Sequence, residues 1–78
     1  MKNNWIHKDN FTVTPDMVSN GKMIKEKIPN EVTGNFDCRN RGINSLEGSP
    51  KSVGGSFWCD NNKLSSLEGS PKYVGGSF

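Results

Sequence analysis

Apolar and polar positions alternate along two short stretches of the chain. In "NFDCR" (35–39) and "SFWCD" (56–60), Phe36 and Cys38, then Phe57 and Cys59, occupy every second place. Between and around them stand Asn35, Asp37 and Arg39, then Ser56, Trp58 and Asp60. A period of two predicts a strand with one buried face, so the first set points inward and the second outward. Turn residues bracket each strand. Gly-Gly precedes the second one, and "EGSP" follows Leu67, where Gly permits unusual dihedrals and Pro fixes a bend.

The two stretches belong to a larger repetition. Residues 45–57, "SLEGSPKSVGGSF", return as "SLEGSPKYVGGSF" at 66–78, with Tyr73 replacing Ser52 as the single difference. Phe36, Phe57 and Phe78 keep the same 21-residue interval, as do Gly34, Gly55 and Gly76. Pro29, Pro50 and Pro71, with Val32, Val53 and Val74, carry the register back to about Ile28. Such a period is too short for a helical-hairpin repeat, which needs roughly 33 residues. It fits a solenoid coil made of one short strand and a tight return. One coil cannot bury its own apolar edge. Stacked coils bury columns of Val, Phe, Cys, Ile or Leu, and Leu.

The sequence therefore predicts a mainly β fold: a short parallel β solenoid with an N-terminal capping hairpin. The expected units are a cap over 1–33, coils over 34–54 and 55–75, and a partial coil at 76–78. Within the cap, "FTVT" places Phe11 and Val13 on one side of a strand. "PDMVSNGK" reads as a turn or single helical turn, with Thr14 as cap and Pro15 at the first helical position. "KMIKEKIP" is expected to run extended, and Trp5 and Ile6 to pack onto the cap. Phe78 opens a third strand with nothing after it, which predicts pairing with another copy or with a partner, or membership of a longer array.

Composition narrows the class. A chain of 78 residues, 31% hydrophobic with 9 Gly, forms at most one domain with a thin core. Charge is nearly balanced, 10 Lys or Arg against 8 Asp or Glu, too mild to announce nucleic acid. "MKNNWIHKDN" contains no apolar leader and no segment is long enough to span a bilayer, so a cytoplasmic protein without membrane attachment is expected. The two cysteines fit a reducing compartment.

On these residues, "FWCDNNKLSSLEGSPKYV" resembles a leucine-rich repeat, L-x-x-L-x-L-x-x-N-x-L, of the short bacterial type in which a proline-containing return replaces the helix. Aligned so, Phe57, Cys59, Asn62, Leu64 and Leu67 take the inward positions. The phrase C-x-x-N-x-L-x-S-L-E-G-x-P-x-x-V-G-G, preceded by "FTVTPD" at 11–16, is similar to repeats in uncharacterised proteins encoded by tailed bacteriophages. The resemblance implies a leucine-rich-repeat-like solenoid in which the Asn62 amide bonds to backbone groups of neighbouring coils. Arg41 stands at the equivalent place one coil earlier, which predicts either a substitute in Asn40 or an interrupted ladder.

Catalytic chemistry finds no foothold. A zinc site needs about four ligands, and the single histidine, His7, lies far from Cys38 and Cys59 in the chain. Stacked inward, the two thiols read as small hydrophobes. Glu47 and Glu68, with Lys51 and Lys72 four residues on, read as a solvated charge ladder rather than paired catalytic carboxylates. "GSPKSVGGS" lacks the phosphate-loop pattern, and neither a zinc-protease nor a nucleophile-elbow motif is present. The sequence thus predicts a non-enzymatic protein without metal or cofactor.

A surface remains: Asn35, Asp37 and Arg39 beside Ser56, Trp58 and Asp60, as a protein-binding face. Trp and Arg are the residues most enriched in binding hot spots, while a Trp58 folded across the neighbouring rung would instead shield the sheet. The phage resemblance implies a host or phage protein as partner, in transcription or in defence, as an anti-CRISPR-type inhibitor is. Two alternatives stand beside it. One is a self-associating structural or virion component, a homodimer through Phe78. The other is a weak nucleic-acid binder using Lys22, Lys25, Lys27, Arg39 and Arg41, with Trp58 for stacking.

Overall fold

A computed structural model describes residues 5–64 and 68–77. Its strands are short and almost all parallel. They are β1 (Ile6–His7), β2 (Phe11–Thr12), β3 (Val18–Ser19), β4 (Lys22–Met23), β5 (Glu31–Val32), β6 (Phe36–Asp37), β7 (Ser52–Val53), β8 (Phe57–Trp58) and β9 (Tyr73–Val74). One parallel sheet runs β1-β5-β7-β9 and a second runs β2-β6-β8. The register follows the repeat: Val32 pairs with Val53 and Val53 with Val74, while Phe36 pairs with Phe57.

Backbone hydrogen bonds outside the strands keep the same interval. Lys51 N–H donates to the Asn30 carbonyl (2.8 Å), and Lys72 N–H to that of Lys51 (2.9 Å). Phe36 N–H donates to Ser56 (2.8 Å) and Phe57 N–H to Ser77 (2.7 Å). Each copy of the repeat thus satisfies the backbone of the next, at a strand spacing of about 4.8 Å. So close an approach dictates glycine at Gly55, where an added Cβ would lie 3.0 Å from the Gly34 backbone.

Between the sheets lies the core: Phe36, Phe57, Val13, Val32, Val53, Ile28, Ile43, Leu46 and Cys38 are fully or almost fully buried. Phe11, Phe36 and Phe57 stack face to face, with centroids 5.8 and 5.3 Å apart and planes within 6° and 4°. The alternation predicted for 35–39 and 56–60 is therefore present, although Cys59 is only half-buried. Leu67 lies outside the described residues.

The N-terminal segment adds a rung to both sheets, because β1 pairs with β5 and β2 with β6. Phe11 and Val13 are buried and Thr12 is exposed, as "FTVT" predicts. A 3-10 turn at Pro15–Met17 follows Thr14 with Pro at its start. The antiparallel hairpin β3–β4 then closes on Asn20-Gly21, with φ of 53° and 80°, the left-handed pair that a two-residue hairpin turn favours. The stretch after β4 is not simply extended, since Lys25–Lys27 forms a second 3-10 turn. Its Ile28 N–H to Lys25 carbonyl bond (3.2 Å) matches the Ser49 N–H to Leu46 carbonyl bond (3.1 Å) one repeat later. Sequence identity has faded there, but the bend has not. Trp5 and Ile6 stay 40% and 50% exposed, Trp5 meeting Phe11 edge-on at 6.2 Å.

Asn62 holds the strand exits together. Its amide nitrogen donates to the carbonyls of Cys38 (2.8 Å) and Cys59 (3.0 Å), while Oδ1 accepts from the Arg41 and Ile43 N–H groups (2.9 and 3.1 Å). One copy earlier Asn40 does not substitute, and the ladder is interrupted only in part. Arg41 Nε donates to the Val13 carbonyl (2.6 Å), the position corresponding to Cys38 for Asn62. The guanidinium supplies the donating half of the asparagine's role and, having no acceptor, omits the other half.

Replacing Asn62 by Ala deprives these backbone groups of partners and should lower unfolding free energy by about 2–3 kcal/mol in urea denaturation, whereas a loss below about 0.5 kcal/mol would contradict this role.

Candidate protein-binding site

The outward positions of β6 and β8 and the residues flanking them share one sheet face. Asp37 and Trp58 are direct cross-strand partners. Arg39 lies two residues after Asp37, so its side chain leaves the same face of the strand. It folds back and grips the carboxylate with two bonds, Nε to Oδ1 at 2.9 Å and Nη2 to Oδ2 at 2.8 Å. Held there, its guanidinium lies 4.8 Å from the centroid of the Trp58 ring, a cation–π contact. Trp58 is half-buried as a result. Acid, guanidinium and indole form one connected group on two neighbouring strands.

Electrostatics follow the geometry. The Arg39 hydrogen bonds hold the Asp37 carboxyl below the usual carboxylate range, despite an opposing push from partial burial. Asp37 in turn raises the Arg39 pKa, and Asp60 adds a smaller push the same way. Asp60 is exposed near the group but does not clasp Arg39.

Asn35 and Ser56 share the face with a different task. Asn10 Oδ1 accepts from the Asn35 N–H (2.9 Å), Asn35 Oδ1 from the Ser56 N–H (2.8 Å), and Ser56 Oγ from the Ser77 N–H (3.3 Å). This polar ladder ties the rungs together just before each strand. The remaining residue named from the sequence, Phe78, lies outside the described residues.

Other candidates are dispersed. Glu47 pairs with Lys22 of β4 at 3.3 Å, a partner distant in sequence that the Lys51 spacing did not suggest. Lys27 reaches Asp16 at 3.9 Å, Lys25 approaches the Ser49 carbonyl at 3.4 Å, and Arg41 is turned onto Val13. The basic residues between 22 and 41 therefore point to separate partners and form no continuous stripe. Cys38 and Cys59 are free thiols. Among the described residues no group of three His, Cys, Asp or Glu side chains converges to hold a metal ion, and no helix is long and apolar enough to cross a membrane.

The Asp37–Arg39 clasp was missed by sequence reasoning, which placed Asp37 and Arg39 on one face without pairing them. Its signal was present in the Asp-x-Arg spacing, because alternate residues of a strand are same-face neighbours. No known family, curated protein or solved structure matches the chain.

Because the Asp37 pKa is depressed on folding, its ion pair contributes stability above the unfolded value of about 4, and that contribution is lost as pH falls through the folded value. Acid titration of unfolding free energy should show the native chain losing more stability below about pH 4 than Asp37→Asn does, and identical acid profiles would refute the clasp.

Proposed function

We propose that the chain is a leucine-rich-repeat-like parallel β solenoid with an N-terminal cap, and that it acts without catalysis by binding another protein. The face carrying Asp37, Arg39, Trp58 and Asp60, edged by Asn35 and Ser56, is the binding surface. The observation that carries this reading is the Trp58–Arg39 stack fixed by Asp37. An indole and a guanidinium locked in place before any partner arrives lose little side-chain freedom on binding, and both are common hot-spot residues. Three rungs span only about 10 Å across the strands. A standard interface needs about 800 Å² per partner, so neighbouring turns must contribute as well.

The likeness to tailed-phage repeats supports a partner from the infected bacterium, reached in its cytoplasm, in transcription or in a defence system where the chain would act as an inhibitor. Nucleic acid is the weaker alternative. Phosphate-driven binding draws on unpaired cations, and Lys22, Lys27 and Arg39 each face a carboxylate.

An affinity pull-down from bacterial lysate, comparing the native chain with an Arg39→Ala, Trp58→Ala double variant, tests the assignment. The expected result is a partner retained by the native chain and reduced at least about tenfold by the variant, as two hot-spot losses imply. Circular dichroism must show the variant folded. A partner retained equally by both would move the surface elsewhere.

A further inference from the structure

The inward side of the same strands carries the two thiols. Cys38 sits between Asp37 and Arg39, and Cys59 between Trp58 and Asp60. Asp37 pairs with Trp58, and the next backbone bonds, Cys38 N–H to Trp58 (2.9 Å) and Asn40 N–H to Asp60 (3.1 Å), continue that register. The cysteines are therefore adjacent on one face of neighbouring parallel strands, about 4.8 Å apart at Cα. That separation lies within the range of about 4.4–6.8 Å that a disulfide bridges. Their environments differ. Cys38 is fully buried, its Sγ donating to the Trp58 carbonyl at 3.4 Å, whereas Cys59 is half-buried.

We infer that Cys59 and Cys38 form a dithiol modification site that takes a low-molecular-weight disulfide as co-substrate and ends as a disulfide joining the two copies of the repeat. The inference goes beyond the binding reading and does not depend on it. Cys59, the accessible thiol, loses its proton and attacks one sulfur of the small disulfide. The S–S bond breaks and the displaced thiolate takes up a proton. Cys38 then loses its proton and attacks the Cys59 sulfur of the mixed disulfide, expelling the second small thiol. Two protein thiols are oxidised, and one small disulfide is reduced to two thiols.

Burial gives the second step a signature. It pushes the Cys38 thiol up to about 12, with Cys59 and Asp37 adding to the rise and Arg41 opposing it, and it also raises the Cys59 thiol, with Asp60 adding to that. The attacking thiolate is thus scarce at neutral pH, and closure accelerates about tenfold per pH unit through the range in which the protein stays folded.

The native chain, Cys38→Ser and Cys59→Ser are incubated with oxidised glutathione under native conditions and followed by intact mass spectrometry. The native chain is expected to lose about 2 Da with no glutathione retained, Cys38→Ser to hold one glutathione at Cys59, and Cys59→Ser to stay unmodified. A native chain that keeps glutathione on Cys59, dimerises through it, or leaves both thiols unreacted until denatured would overturn the inference. Should a variant fail to fold, the native chain's mass and its pH dependence decide alone. Partner capture in the pull-down is read separately, so neither result substitutes for the other.

Discussion

The contact between one 21-residue copy and the next is what the rest of the structure depends on. A copy by itself holds strands of two residues, with open backbone edges. Those edges close only when a neighbour lies parallel, about 4.8 Å away. Phenylalanine rings then stack, valines meet across β5, β7 and β9, and side-chain amides reach backbone groups that strands so short leave unpaired. Asn62 shows the economy of this arrangement, serving two carbonyls and two N–H groups around one strand exit. Small domains bury a modest share of their surface, so these polar columns add to what the thin apolar core supplies.

Parallel pairing also fixes what can be displayed. Inward residues must pack in columns, and outward residues stand in rungs at the strand spacing. Asp37, Arg39 and Trp58 come together because two strands hold them in register, without a pocket or a long loop. The same alternation places Cys38 and Cys59 directly behind them. The inward thiols and the outward group thus share three consecutive backbone positions on each strand, 37–39 and 58–60.

Much of this was legible from the chain, for a physical reason. Exact repetition reveals which residues occupy equivalent sites, and a period of two separates buried from exposed positions without knowledge of the partner strand. Phe36, Cys38 and Phe57 could be read in that way, whereas the amide role of Asn62 was implied only by the resemblance to leucine-rich repeats. The repeat was harder to follow where its residues change while its backbone does not. The Lys25–Lys27 turn copies the bend after Leu46 with different side chains, so an extended reading was natural there. Arg41 standing in for an asparagine was illegible for the same reason, since only its reach to the Val13 carbonyl reveals the shared role. Partners distant in sequence, such as Lys22 for Glu47, depend on how the β3–β4 hairpin folds back, which no local spacing reports.

Native-state amide hydrogen exchange tests most directly whether the copies are stable only against one another. The amides of Phe36, Cys38, Lys51 and Gly54, each bonded to a neighbouring copy, should share one opening free energy equal to that of global unfolding. Protection that differed widely between the copies, with one exchanging freely while the other stayed closed, would contradict that interdependence.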